Sequence, residues 1–137
     1  MTAMIGGCLC GKIRYRAEGA PLLTGVCHCK DCQKQTGSSS MVFVVVKRDG
    51  FALEGSPGMF QTVGDSGKPV LRHFCRDCGS PVFSLVSFLS EFSMIPAGTL
   101  DDRSQVKPTM HIYCDSAQPW VRIDDDVAKF PKARPRS

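Results

Sequence analysis

The sequence predicts a mainly β fold made of short, mostly antiparallel strands. Three observations favour this class: β-branched and aromatic residues recur in short runs, turn-forming clusters separate these runs, and helical patterns are rare. Examples of the clusters are residues 55–58, GSPG, and residues 64–67, GDSG. A chain of 137 residues, of which 42% are hydrophobic, has the usual size of one domain. We therefore expect a single domain over residues 1–126, followed by a tail.

Two segments carry the clearest strand patterns. Residues 12–16, KIRYR, alternate charged and apolar side chains, as a half-buried strand does. Residues 41–46, MVFVVV, are typical of a central strand that then enters a turn. The other predicted strands are short and lie at residues 51–54, 60–63, 71–74, 81–85, 94–96 and 110–113. A helix is predicted at residues 31–36, and residues 86–92 are ambiguous.

The last segment, residues 127–137, has the sequence VAKFPKARPRS. It carries two prolines and four basic residues and offers little apolar surface to bury. We expect it to be extended or disordered. It is either a solvated end or an arm that docks elsewhere or binds an anion.

No segment has the pattern of a signal peptide or a membrane span. The first residues, MTAMIGGCLCGK, lack a basic start followed by a long apolar run, and the longest purely apolar run is residues 41–46. We therefore expect a cytoplasmic protein with no membrane partner.

The eight cysteines are the main chemical signal. In a secreted chain of this length they would predict disulfides, whereas in a reducing cytosol they indicate metal or thiol chemistry. They fall into a C-x-C unit, a C-x-C-x-x-C unit, a C-x-x-C unit and one separate residue: Cys8 and Cys10; Cys27, Cys29 and Cys32; Cys75 and Cys78; and Cys114.

Metal binding would also change the interpretation of the charge. The formal net charge of +4 counts every cysteine as neutral, and seven metal-bound thiolates with two Zn²⁺ ions would lower it to +1. The apparent basicity is therefore weak support for a nucleic-acid partner, and basic and aromatic residues are little interleaved.

Four of the cysteines predict a closed zinc site. Side chains alternate along an extended segment, so both sulfurs of Cys8-Leu9-Cys10 would face one way. A tight turn would bring the sulfurs of Cys75 and Cys78 to one side in the same way. Gly79, which follows, tolerates the positive φ that such a turn often needs. Together these four thiolates would form a structural Cys₄ Zn²⁺ site. The alternative is a set of disulfides or of thiols without metal.

The other three clustered cysteines, Cys27, Cys29 and Cys32, form an incomplete set. Three protein ligands and one open position are typical of a catalytic zinc. Because three thiolates make the ion a weak Lewis acid, such a centre suits a fourth thiolate better than hydroxide. A thiol bound there would lose its proton and become a nucleophile.

A fourth protein ligand could instead close this site. The candidates are His28, Asp31, His73, His111 and Cys114. Strand alternation should turn His28 away from the metal, and Asp31 is a poor match beside three thiolates.

The residues around the incomplete set could bind a substrate. Lys30 and Lys34 could offset its negative charge or hold a substrate carboxylate, although exposed lysines are often only solvated. Ser38 follows in the segment QTGSSS, which could contact a peptide-like ligand or simply be a connecting loop.

The cysteine motifs also resemble a known family. The segments GGCLCG at residues 6–11, CHCKDC at residues 27–32 and FCRDCGS at residues 74–80 are similar to those of the glutathione-dependent formaldehyde-activating enzyme family, which includes centromere protein V. The resemblance covers roughly residues 5–85, and QPW near Trp120 resembles the closing segment of the family.

This resemblance implies a β-tent of antiparallel sheets over residues 1–126 and two zinc ions per chain. It places a structural zinc at the four-cysteine set and a second zinc at the three-cysteine set, within a glutathione-binding region. Lys30, Lys34 and Ser38 would then be the expected glutathione contacts.

The founding activity of the family, classed as a carbon-sulfur lyase, is reversible formation of S-hydroxymethylglutathione from formaldehyde and glutathione. We therefore expect a zinc-dependent enzyme that adds glutathione or a similar thiol to formaldehyde or another small aldehyde. The alternative is a binding module with two structural zincs and no catalytic activity. A zinc deaminase is excluded, since none of the three histidines begins an H-x-E unit.

Overall fold

The computed structural model describes residues 3–135, with the side chain of Phe88 left out. The strands, numbered in chain order, are β1 (Ala3–Gly7), β2 (Arg14–Glu18), β3 (Leu23–Cys27), β4 (Met41–Lys47), β5 (Phe51–Glu54), β6 (Gly58–Val63), β7 (Pro69–Phe74), β8 (Pro81–Val86), β9 (Phe92–Pro96), β10 (Met110–Ile112) and β11 (Ala128–Lys129). The helix α1 spans Lys30–Thr36, and 3-10 turns lie at Ser87–Leu89, Ala97–Thr99, Arg103–Gln105 and Cys114–Ser116.

Within the described residues the strands form two sheets. A three-stranded antiparallel sheet has the order β1-β2-β5, and an eight-stranded sheet has the order β11-β10-β3-β4-β9-β8-β7-β6. The prediction of a mainly β fold is confirmed, and β4 is a central strand as expected. The larger sheet is mixed, however, because β10 pairs in parallel with both β3 and β11.

The main core lies where the two sheets meet. The small sheet contributes Met4, Tyr15 and Ala17 to it, and the large sheet contributes Val44, Val46 and Ile95. These side chains are at most 2% exposed. Burying a large apolar side chain stabilises a fold by roughly 1.5–3 kcal/mol, so this interface is the main source of stability for the pair of sheets.

The alternation of β4 links this core to the cysteines. Val44 and Val46 pack in the core between the sheets, whereas Phe43 and Val45 pack in a second cluster with Cys27 and Cys32. Successive side chains of a strand point to opposite faces, which explains why one strand serves both clusters. The three-cysteine set therefore lies on the face of the large sheet opposite the small sheet.

The large sheet curls so that its β6–β7 end approaches the β3–β10 end. Arg72 of β7 donates a hydrogen bond from Nη1 to Oε1 of Gln35 on α1 at 2.6 Å. At the tip of the β6–β7 hairpin, Asp65 lies close enough to Tyr113, which follows β10, to help raise the pKa of its phenol. The hairpin thus lies over the helix that carries Cys32.

The beginning of the tail is ordered against the sheet. Strand β11 pairs with β10, and Phe130 donates its N–H to the His111 carbonyl at 2.9 Å. Residues 136–137 of the tail lie outside the described residues. No helix within residues 3–135 is long and apolar enough to cross a bilayer.

The strand predicted at residues 12–16 begins two residues late, at Arg14. Ile13 is part of a turn instead, because its N–H donates to the sulfur of Cys8 at 3.2 Å and its carbonyl accepts the N–H of Cys8 at 3.1 Å. The cysteine turn therefore sets where β2 starts.

Candidate functional site

The first cysteine cluster brings together Cys8, Cys10, Cys75 and Cys78. All four sulfurs lie within 4.8 Å of one another. The Cys10 sulfur is 3.6 Å from that of Cys8 and 3.7 Å from that of Cys75. Zinc–sulfur bonds of about 2.3 Å in a tetrahedron place sulfurs about 3.8 Å apart, whereas a disulfide bond is about 2.05 Å long. The spacing fits a zinc ion, and all four cysteines are free thiols.

Two turns build this cluster. Gly79 has φ 80° and donates its N–H to the Cys75 carbonyl at 2.9 Å, so positive φ occurs where the sequence predicted it. The expectation that Cys8-Leu9-Cys10 is extended was wrong, because Gly11 donates its N–H to the Cys8 carbonyl at 3.2 Å and closes a turn. The sulfurs of Cys8 and Cys10 meet across this turn and not through strand alternation.

Hydrogen bonds to sulfur favour the thiolate form of Cys78 in this cluster. The hydroxyl and backbone N–H of Ser80, with the backbone N–H of Cys10, lower the pKa of Cys78 to about 5. The Ser80 hydroxyl lies 3.3 Å from the Cys78 sulfur. Since metals bind the thiolate form, this environment prepares Cys78 to bind a cation.

The second cluster contains Cys27, Cys29 and Cys32. Cys27 ends β3, Cys29 is the N-cap of α1, and Cys32 lies in the first turn of that helix. Their sulfurs also lie within 4.8 Å of one another. Cys27 and Cys32 are buried and Cys29 is half-buried, so the cluster is reached from the side of Cys29.

The surroundings of the three sulfurs favour the thiolate form at Cys29. Hydrogen bonds from the thiols of Cys27 and Cys32 lower the pKa of Cys29 to about 2, although burial opposes the shift. Hydrogen bonding to Cys29 and Cys32, together with burial, raises the pKa of Cys27. A divalent cation would favour deprotonation of all three, so this cluster could also bind zinc.

No fourth ligand completes this cluster within the described residues. His28 is buried and turned away, and its Nε2 lies 2.8 Å from Nδ1 of His111, with the two rings stacked. His73 stacks on Phe83 instead, with ring centroids 4.1 Å apart. Asp31 and Cys114 do not belong to this set of candidate metal ligands either.

The three residues expected to contact glutathione lie together. Lys30, Lys34 and Ser38 line one open depression of about 470 Å³, beside Gln33 and Gln118. This depression lies between α1 and the segment that contains Ser116 and Gln118. The geometry brings the residues together, and their role stays a prediction.

A second cavity, of about 350 Å³, lies between α1 and the strands β6 to β8. Lys34 belongs to its wall as well as to the first depression. Sequence reasoning missed Arg72, which lines this cavity and also bonds to Gln35. No local pattern marks Arg72, because its approach to α1 depends on the curl of the large sheet.

Tyr113 is a further residue that sequence reasoning missed. Its ring packs against the cluster that contains Cys27 and Cys32. Its backbone is left-handed, with φ 56° and ψ 40°, which is uncommon for a residue other than glycine. Burial, then the nearby Asp65 carboxylate and the negative charges of Cys27 and Cys29, raise the pKa of Tyr113. A neutral phenol therefore faces the sulfur cluster.

The fold and the two clusters define a mainly β protein in which two sets of cysteine sulfurs could hold zinc. A family model described as "Glutathione-dependent formaldehyde-activating enzyme" matches residues 3–116. Because this match spans most of the 137 residues, the chain belongs to that family. The resemblance inferred from the cysteine motifs is confirmed.

A solved structure supports the fold. A crystal structure of a Rhodobacter sphaeroides protein aligns with a TM-score of 0.58 and 18% sequence identity, over 77% of this chain and 92% of that chain. At this level of identity the likeness concerns the fold alone. A comparison with curated proteins finds no match.

Proposed function

We propose that the protein is a zinc-dependent enzyme of the carbon-sulfur lyase type. It would bind glutathione or a similar thiol and catalyse reversible formation of an S-hydroxymethyl adduct with formaldehyde, or of the matching adduct with another small aldehyde. The observation that supports this most is that Cys27, Cys29 and Cys32 converge without a fourth ligand from the described chain. The family description, which names glutathione and formaldehyde, supports the choice of substrates.

In this proposal the two clusters have different roles. The cluster of four cysteines would hold a structural zinc, and the cluster of three would hold the second zinc with one position open. A zinc ion bound at the second cluster would supply the charge that lowers the pKa of a coordinating thiol. Three cysteine ligands favour sulfur over hydroxide in the open position, since they make the ion a weak Lewis acid.

Addition of the thiol to the aldehyde requires a group that stabilises the new oxygen. The sulfur lone pair forms a bond to the carbonyl carbon, the C=O π pair moves to oxygen, and this oxygen then accepts a proton. The thiol proton passes to solvent. The reverse reaction breaks the carbon–sulfur bond and returns the aldehyde.

Tyr113 is the donor that we propose for this oxygen. Its ring packs against the cluster that contains Cys27 and Cys32, and burial raises the pKa of the phenol, which favours its protonated form. The hydroxyl would donate to the aldehyde oxygen as the carbon–sulfur bond forms. If it transfers its proton, it regains one from solvent.

The second candidate is a zinc-stabilised binding module. The burial of Cys27 and Cys32, at 7% and 8% exposure, favours this alternative, because structural zinc sites are closed to solvent. In that case both clusters would bind zinc and neither would respond to a thiol.

We also propose a reducing compartment, such as the cytosol, for this protein. Zinc–thiolate sites require reduced cysteines, and glutathione is a reductant of reducing compartments.

Zinc-edge absorption spectroscopy of the zinc-loaded protein, with and without glutathione, tests the proposal. We expect two zinc ions per chain and a change in the coordination of one of them when glutathione is added. Formation of the adduct from formaldehyde would be followed by NMR in the same samples.

A pair of variants makes this test specific. Cys32→Ser should lose one zinc and adduct formation, whereas Cys114→Ser changes a free cysteine outside both clusters and should lose neither. The binding module would be established instead if the protein binds two zinc ions, its zinc-edge spectra do not change with glutathione, and no adduct forms.

A further inference from the structure

The cavity between α1 and the β6–β7 hairpin has a charged side and an apolar side. Its charged and polar lining residues are Asp31, Lys34, Gln35, Thr62 and Arg72, and its apolar ones are Phe60, Phe74 and Pro81. The volume, about 350 Å³, is within the range for small-molecule sites. This lining suits a short flexible molecule with a charged end.

Arg72 is fixed in this cavity by neutral partners. Its Nε donates to the Thr62 hydroxyl at 3.0 Å and its Nη1 donates to Oε1 of Gln35 at 2.6 Å. Within the described chain, Arg72 forms no ion pair with a carboxylate, and Nη2 makes no hydrogen bond. A half-buried guanidinium with a free edge is a receptor for a carboxylate, which it can bind through two parallel hydrogen bonds.

One wall of the cavity is the helix α1, which also carries Cys32 of the three-cysteine cluster. Asp31 and Gln35 flank Cys32 on α1, and Gln35 lies one helical turn beyond it. Arg72 bonds to Gln35, so its guanidinium lies beside the helix that carries Cys32. A thiol whose sulfur is at the cluster can therefore extend toward Arg72.

We propose that this cavity binds a carboxylate of the substrate thiol, with Arg72 as the specificity-determining residue. Lys34, on the α1 side of the cavity, supplies a second positive charge. The protein would then select amino-acid-derived thiols that carry a free carboxylate over neutral thiols of similar reactivity. The inference rests on the proposed function for the thiol chemistry, whereas the carboxylate contact can be measured without it.

The first measurement is steady-state kinetics with formaldehyde and either glutathione or its diethyl ester. The wild-type protein should prefer the acid, and Arg72→Gln should raise KM for glutathione roughly 10- to 100-fold, as expected for a lost charge-assisted hydrogen bond. The same variant should leave KM for the diester nearly unchanged. Arg72→Lys, which keeps the charge, should recover part of the preference.

The second measurement is binding of S-methylglutathione, whose capped sulfur cannot act as a nucleophile. Isothermal titration should show weaker binding to Arg72→Gln than to the wild type by a similar factor. Arg16→Gln is the matched control, because Arg16 lies on the small sheet and bonds to Glu18 at the surface. Zinc content and circular dichroism verify that each variant is folded.

The outcomes separate the two proposals. If wild type makes the adduct and Arg72→Gln keeps the preference for the acid, the carboxylate site is wrong and the proposed function stands. If no thiol reacts but S-methylglutathione binds in an Arg72-dependent way, the carboxylate site stands and the proposed function fails. If S-methylglutathione does not bind to the wild type, the carboxylate site is also wrong.

Discussion

The sulfur of Cys29 accepts a hydrogen bond from the backbone N–H of Cys32 at 3.3 Å. Cys29 is the N-cap of α1, with extended backbone angles of φ −62° and ψ 153°. An N-cap side chain satisfies one of the N–H groups that a helix leaves unpaired at its start. The sulfur of Cys29 therefore caps the start of α1 and also belongs to the three-cysteine cluster. The start of the helix and the geometry of the site both depend on this one atom.

Replacement of Cys29 separates these two roles. Serine is a good N-cap but a poor zinc ligand, so Cys29→Ser should lose one of two zinc ions and the adduct-forming activity while α1 is kept. Cys29→Ala should lose both roles, and its metal-free form should be less stable than that of Cys29→Ser by about 0.5–2 kcal/mol. Zinc analysis and denaturant unfolding of the metal-free proteins measure the two effects. Equal stability of the two variants would contradict the capping role.

The cysteine clusters could be predicted because the chemistry of sulfur and zinc depends on short spacings along the chain. The same holds for β4, whose β-branched run predicts a central strand, and for α1. Each of these features is encoded within a few neighbouring residues.

Strands β1 and β3 were missed because their stability comes from pairing with distant segments. Their sequences, AMIGG and LTGVC, contain glycines that weaken a strand pattern. Gly25 in β3 is needed for packing, since a Cβ there would lie 2.7 Å from a ring carbon of Phe43. Arg72 and Tyr113 were missed for a related reason, because the curl of the large sheet brings them to the site.

The left-handed turn at Gly79 gives a second prediction. Gly79 has φ 80° and open space where a Cβ would be placed, so Gly79→Ala should act through backbone strain alone. We expect a cost of roughly 1–2 kcal/mol in stability and weaker zinc binding at the four-cysteine cluster. Gly98→Ala is the control, because Gly98 also has open space and its φ is not positive. Thermal unfolding and zinc competition with a chelator measure both, and equal effects of the two substitutions would contradict the strain argument.

The pair of Arg14 and Asp101 predicts a pH dependence of stability. A hydrogen bond from the Arg14 guanidinium lowers the pKa of the Asp101 carboxyl below its ordinary value of 3.8. Because the folded pKa is the lower one, the stabilisation is complete above the unfolded pKa and is lost as the pH falls through the folded pKa.

Asp101→Asn should therefore lower the free energy of unfolding at pH 7 by up to about 1 kcal/mol, since the pair is largely exposed. The difference from the parent should vanish at pH values below the folded pKa of Asp101. Denaturant unfolding across this pH range is the measurement, with Asp49→Asn as a control at an exposed site. If the variant and the parent still differ in free energy of unfolding below this pKa, the effect of Asp101→Asn does not come from loss of the ion pair with Arg14.

The hydroxyl of Tyr113 carries the prediction that bears most directly on catalysis. Tyr113→Phe keeps the ring that packs against the cysteine cluster and removes only the proposed donor. If this donor stabilises the developing oxygen charge, kcat for adduct formation should fall by roughly 100- to 1,000-fold, while zinc content stays at the parent value.

Tyr15→Phe is the matched control for the loss of a hydroxyl. Tyr15 is buried in the main core and its hydroxyl lies 2.6 Å from that of Thr99, so its removal should reduce stability by about 1 kcal/mol and leave kcat unchanged. Asp65→Asn keeps the Tyr113 hydroxyl and removes only the nearby carboxylate charge, so it should change kcat less than Tyr113→Phe does. Parent-like kcat in Tyr113→Phe would remove Tyr113 from the mechanism, and solvent would then be the proton donor.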